Sequence, residues 1–245
     1  MADQEVAKHT KKALQLLAGD QHTFWHKVRE IALEVLIIIF AVSMSIWLHS
    51  VGEHRHEQQQ VKTFLLGLKI DLQADIEGTN KTIKRFRDSS DRFAYLAKLD
   101  PAVPLNQEQF DKALEAIDLP LFDVFYHKAR YEGFKTSGRL ANIENEALLE
   151  DIVWLYESGT NATRLGVQNW NGNRDLLKNY IDNGVDAGGP AARFKLIVAP
   201  KGKRLCDAMQ AGPISDLRGM VMIESKIIQQ IEAMYPGEVS TTKSH

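Results

Sequence analysis

The sequence predicts an all-α protein in which an N-terminal transmembrane helix continues into a long stalk helix packed in an antiparallel helical bundle. Three observations predict it. The run from Ile31 to Leu48, IALEVLIIIFAVSMSIWL, carries one charge in about 18 residues, enough helix to span about 27 Å of hydrocarbon. Beyond it, apolar residues recur at three- and four-residue steps in three long segments and two shorter ones, so each segment has one face to bury against another. Short connections containing proline or glycine join these segments.

The N-terminal run has the marks of a membrane anchor. Trp25 and Trp47 stand about 33 Å apart along a helix, which seats two amphipathic rings at opposite headgroup layers. Lys8, Lys11, Lys12, Lys27 and Arg29 precede the run, whereas only Arg55 and Lys62 closely follow it, so the positive-inside bias puts the N-terminus in the cytoplasm. Glu34 lies about one turn inside, where it either snorkels to the near headgroups or faces a helix–helix contact through Ala41 and Ser45. Two alternatives stay open. A cleaved signal peptide fits Ser50 and Gly52 at cleavage-like spacing, against a long leading segment and the interruption at Glu34. A buried core helix would need the LIIIF run covered from every side.

The expected division is a cytoplasmic segment 1–27, a transmembrane helix 28–50, an extracytoplasmic helical bundle 51–236 and a flexible tail 237–245. In the stalk, Val61, Leu65, Leu68, Leu72, Ile76, Thr79, Ile83, Phe86, Ser90, Phe93 and Ala97 make one helical face. Gly52 is a place to bend, and the polar EHRHEQQQ stretch clears the headgroups. Asp100 and Pro101 end the helix. Asn106 with Gln109 forms a capping box for a short helix to about Ile117, and a second is expected from about Leu121, carrying Phe122, Phe125, Tyr126, Ala129 and Phe134 as far as the TSGR turn. Gly138 suits a left-handed position there.

Asn145 caps a long helix expected from Glu146 to about Asn183 on Leu148, Ile152, Leu155, Ala162, Gly166, Trp170, Leu177 and Ile181, with SGTNAT near Ser158 as a possible break. Gly184, Gly188, Gly189 and Pro190 mark a loop, after which FKLIVAP reads as a short strand or an apolar turn. Pro213 fits the first turn of a last helix whose broad apolar face is Leu217, Met220, Val221, Ile223, Glu224, Ile227, Ile228 and Ile231. A frayed end is expected after Tyr235.

Composition narrows the function classes. The 245 residues are 44% hydrophobic and 25% charged, average for a globular chain, and 30 basic against 32 acidic residues leave a net charge of −2, so no nucleic-acid partner is expected. Cys206 is the lone cysteine, which excludes an intrachain disulfide and a thiolate-rich zinc site and reads as a small core residue. His49, His54 and His56 fail to converge on one ion at helical spacing, and His127 reads as a packed or surface histidine. Asp71 and Asp75 at i, i+4 read as a polar helix face. Ser137, Ser158 and Ser215 lack a nucleophile elbow, the KTIKRFR run from Lys81 is a solvated basic face with Ile83 and Phe86 buried, and the GKR run near Lys201 lacks phosphate-loop spacing. No catalytic residue, metal or cofactor is therefore expected.

The run REIALEVLIIIFAVSMSIWL from Arg29 and the stretch FLLGLKIDLQADI from Phe64 resemble an uncharacterised family of bacterial single-pass membrane proteins that carry a helical domain of unknown function. The family's Glu-Ile pair opening the anchor is matched by Glu30 and Ile31, its closing tryptophan by Trp47, and its Leu-x-x-Leu-x-x-Asp-Leu element by Leu65, Leu68, Asp71 and Leu72. YEGFKTSGRLANIENEALLEDIVWLY, from Tyr131, is similar to its Ser-Gly turn and Asn-capped helix. Glu34 and the bulky Phe40, where a glycine is common, depart from the pattern. The resemblance spans most of the chain and supports the architecture, the family having no established catalytic residues to carry over; the expected location is a bacterial inner membrane, with the C-terminal domain periplasmic.

The leading expectation is a non-catalytic envelope interaction or scaffold module, with the lipid bilayer and an envelope protein or a second copy as partners. The alternative is an extracytoplasmic small-ligand sensor acting through a separate signalling partner, with Trp154, Tyr156, Trp170 and Tyr180 as candidate pocket aromatics. An unrecognised membrane-bound hydrolase would require a cleft with convergent titratable side chains.

Overall fold

A computed structural model describes residues 2–100, 102–103, 106–116, 120–184, 189–210 and 212–238, with the backbone alone described in 2–24, at Lys27 and at Ala116. The described residues contain helices and no strand. They form α1 (Ala2–Lys98), α2 (Gln107–Ala116), α3 (Ala129–Thr136), a 3₁₀ turn (Arg139–Asn142), α4 (Glu146–Trp154), a π turn (Leu155–Gly159), α5 (Thr160–Gly184), α6 (Pro190–Val198), α7 (Pro200–Ala208) and α8 (Ile214–Met234). The chain divides into two compact units, 1–57 and 58–245.

The first unit is helix alone. Side chains from Val28 to Ser50 are exposed, including Ile31, Phe40 and Trp47. This is the one described helix long and apolar enough to cross a membrane, by length and composition. Helical geometry continues through Gly52 without a break.

In the second unit α1 buries the stripe that its periodicity demands. Val61, Leu65, Leu68 and Leu72 join one apolar cluster with Tyr131, Phe134, Leu148, Ile152, Leu155 and Ile227. Farther along, Ile83, Phe86, Phe93 and Leu96 join a second with Phe122, Val167, Trp170, Leu177, Cys206 and Leu217. Rings lock that second cluster: Phe86 stacks on Phe122 at 4.0 Å, and Trp170 meets both edge-on at 5.4 and 4.7 Å. The order of clusters along each element shows the topology. Helix α1 and the α4–α5 pair run from the first cluster to the second, while residues 122–134 and α8 run back, giving antiparallel neighbours.

Several junctions match the sequence. Asn106 and Gln109 form the reciprocal capping box, each backbone N–H donating to the other's side chain at 3.1 and 2.8 Å. Asn145 accepts from the N–H of Leu148, and Gly138 adopts φ 73°. Asp100 accepts from the N–H of Ala102 beyond the end of α1, whereas Pro101 and the tail 239–245 lie outside the described residues.

Three expectations need correction. The helix expected from Leu121 begins only at Ala129, and residues 121–128 are non-helical, with Phe122, Val124, Tyr126 and Lys128 more buried than Leu121, Asp123, Phe125 and His127. That two-residue alternation belongs to an extended strap. Distance explains it. Phe122 stacks on Phe86 and the N–H of His127 donates to Asp75, so five steps of chain must cover the same length as eleven residues of α1, about 16 Å; extended backbone does so at about 3.3 Å per residue and helix at 1.5 Å does not.

The second correction lies at SGTNAT, where the helix widens into the π turn instead of breaking. The extra residue rotates the succeeding turns of helix, so Ala162 is exposed and Thr163 is buried. The third is FKLIVAP, which is neither strand nor turn: Phe194 to Val198 end α6, and Ala199 takes an extended ψ of 153° because Pro200 forbids helical geometry before it and starts α7. Gly202 closes that corner, since a Cβ there would lie 2.1 Å from the carbonyl oxygen of Leu196.

Candidate functional site

Between the two apolar clusters the bundle carries a layer of polar side chains. On α1 it is Asp75 and Thr79, flanked by Leu72 and Ile83; after the π turn it is Thr160 and Thr163, flanked by Tyr156 and Val167; on α8 it is Glu224. All five are buried, and Glu224 is 0% exposed. Tyr126 and His127 of the strap complete the layer.

Asp75 is held from one side. Its carboxylate accepts from the backbone N–H of His127 at 3.0 Å and meets the Nδ1 of the same residue at 2.5 Å. The imidazole side chain is 61% exposed, so the pair links a buried acid to solvent. The His127 carbonyl oxygen accepts from the Tyr156 hydroxyl at 3.3 Å, and Asn171 both donates to and accepts from the backbone of Phe122. Side chains of neighbouring helices therefore replace the hydrogen bonds that a helical strap would have made to itself. Lys128 donates to Thr160 at 2.7 Å, and the hydroxyls of Thr160 and Thr163 donate back to Tyr156 and Gly159, whose carbonyls the π turn leaves displaced.

Glu224 is different. Neither of its carboxyl oxygens has a hydrogen-bond partner. Burial, followed by the charge of Asp75, pushes the Glu224 carboxyl up to about 8, and burial pushes the Tyr126 phenol up to about 12. Burial likewise raises Asp75, against the lowering effect of its hydrogen bonds from His127. Burial therefore favours the protonated form of both buried carboxyls, and most of all that of Glu224, whose value lies above neutral pH. Among the described residues no three histidine, cysteine or acidic side chains converge as metal ligands.

Of these residues only Asp75 departs from its reading as part of a polar helix face. Asp75 is buried rather than part of a solvated face, while its neighbour Asp71 pairs with Arg130 at 2.7 Å. His127 is on the surface, yet engaged. Glu224 sits on the apolar face where the periodicity put it, and that position was the available signal: a lone carboxylate inside an apolar stripe. The candidate aromatics are divided between the clusters. Trp170, whose Nε1–H donates to the Met209 carbonyl at 3.3 Å, and the half-buried Tyr180 belong with the second cluster; Tyr156 belongs to the first, and Trp154 is exposed.

Among the described residues, surface grooves lie away from the layer, and none of those four aromatics lines the two described next. One, of about 350 Å³, lies between α1 and α3 with Thr63, Phe64, Arg130 and Arg139 on its walls; the other, of about 430 Å³, is lined by charged residues including Arg92 and Lys112. The anchor residues Trp25, Glu30, Ile31, Glu34, Phe40 and Trp47 are all exposed in the first unit. Cys206 is a core thiol, buried and pushed up to about 12 by that burial. No protein-family model, curated protein or solved structure matches this chain.

Proposed function

We propose that this chain is a single-pass membrane protein whose helical second unit is a non-catalytic interaction or scaffold module at a bacterial cell envelope. The observation that carries the reading is the exposure of every side chain from Ile31 to Leu48, a surface that water solvates poorly and lipid solvates well. Tryptophans at both ends and the lysine and arginine bias orient it, with the N-terminus in the cytoplasm and the bundle in the periplasm. The resemblance of the anchor and of the Leu65 to Leu72 element to bacterial single-pass proteins supports the inner membrane as its location. An envelope protein or a second copy of the chain is the expected partner, besides the bilayer.

Reporter fusions test the topology directly. A fusion at Leu17 and one at Gly237 are expected to report opposite compartments. Reporters active in the same compartment overturn the proposal, as does full-length protein that stays dissolved without detergent.

A further inference from the structure

Burying a carboxyl group with both oxygens unpartnered is unfavourable even when it is neutral, and considerably more so when it is charged. In Glu224 that group sits on α8 between Met220 and Ile227, both fully buried, so α8 cannot keep its apolar contacts and also bring the carboxyl to water. The groups that surround it come from three other elements. Asp75 faces it from α1, itself bonded to His127 and with Asp71 one turn earlier tied to Arg130; Tyr126 comes from the strap; Tyr156 comes from the π turn. Lys128, the nearby strap cation, is spent on Thr160. Among the described residues no cation pairs with Glu224.

We propose that the Glu224 layer is a proton-operated latch: a proton on Glu224 lets α8 seat against α1 and the π turn, and its loss sets two carboxylates against each other in an apolar interior and loosens α8. The proton departs to water from the Glu224 carboxyl, leaving a carboxylate, and nothing else is consumed or formed. The exposed His127 ring, bonded to Asp75, gives the layer its contact with solvent. The small ligand read by this bundle is then a proton, a function independent of which side of a membrane the bundle occupies.

Linkage fixes the sign. The folded-state value of about 8 lies above the ordinary 4.5 for glutamate, so the stabilising effect of the protonated latch is complete below about pH 4.5 and is lost as pH rises through about 8. Across that window the folding equilibrium constant falls by on the order of a thousandfold. Melting and amide exchange of the full chain in detergent micelles between pH 5 and pH 9 read it. Wild type is expected to melt progressively lower up to about pH 8 and then level off, with exchange protection lost first in residues 214–234. Glu224→Gln is expected to flatten the profile and to melt above wild type at pH 9.

Parallel pH profiles for the two proteins, or protection lost uniformly along the bundle, overturn the latch. Should Glu224→Gln fail to fold, Glu224→Met, similar in volume and uncharged, takes its place. The wild-type infrared spectrum provides a separate reading: a protonated carboxyl band that persists at pH 7 and fades as pH rises through about 8 is expected, and its absence at pH 7 overturns the proposal.

Discussion

Residues 31–48 and 61–98 share helix α1 and are both rich in leucine, isoleucine and phenylalanine, yet every side chain of the first stretch is exposed, while Val61, Leu65, Leu68, Leu72, Phe86 and Phe93 of the second are buried. The difference lies in arrangement more than amount. The second stretch has polar residues such as Lys69, Lys81 and Arg87 away from its apolar stripe, so other helices of the bundle can cover that stripe. The first is apolar all round and would need cover from every direction, which lipid supplies more readily than a bundle of this size.

The comparison breaks most decisively if the first stretch tolerates charge. Leu36→Arg combined with Ile39→Arg is expected to cost about 5–7 kcal/mol of insertion and to move the protein out of the membrane pellet after alkaline washing. Unchanged sedimentation would mean that lipid is not what solvates the stretch. Next in size, Trp170→Ala is expected to remove about 3–5 kcal/mol of stability by opening a cavity against Phe86 and Phe122. Leu36→Ala is expected to leave the denaturant midpoint of the bundle within about 0.5 kcal/mol, because its side chain is exposed outside the bundle core. Equal losses from the two substitutions would erase the contrast.

The smallest effect concerns the ends of the helices. Asn145→Ala removes the acceptor for the Leu148 N–H and is expected to cost about 1 kcal/mol, measured by chemical denaturation. A loss well above that would show that α4 depends on its cap more than on burial of Leu148 and Ile152.

Much of this fold is legible along the chain because the signals are local. The capping box at Asn106, the cap at Asn145, the left-handed Gly138 and the stripe on α1 each involve residues within a few positions of one another. The strap is not legible, since Phe122, Phe125, Tyr126 and Ala129 mimic a helical face and only the separation between Phe86 and Asp75 on another helix forces extension. The π turn is likewise hidden, because the apolar spacing around it reads almost as well in an unbroken helix. Of the candidate site, Asp75 and His127 were visible only as unrelated residues, 52 positions apart, joined through both the backbone N–H and the ring of His127.

By itself the sequence determined that the chain is helical, where its apolar stretches lie and which of them has a face to bury, because helix periodicity and side-chain hydrophobicity are properties of neighbours. The tertiary structure alone decided that Glu224 has no partner, that Asp75 faces it, and that the strap runs extended beside α1. Those outcomes depend on which elements meet, and the electrostatic cost of a buried carboxyl is set by surroundings contributed by distant parts of the chain.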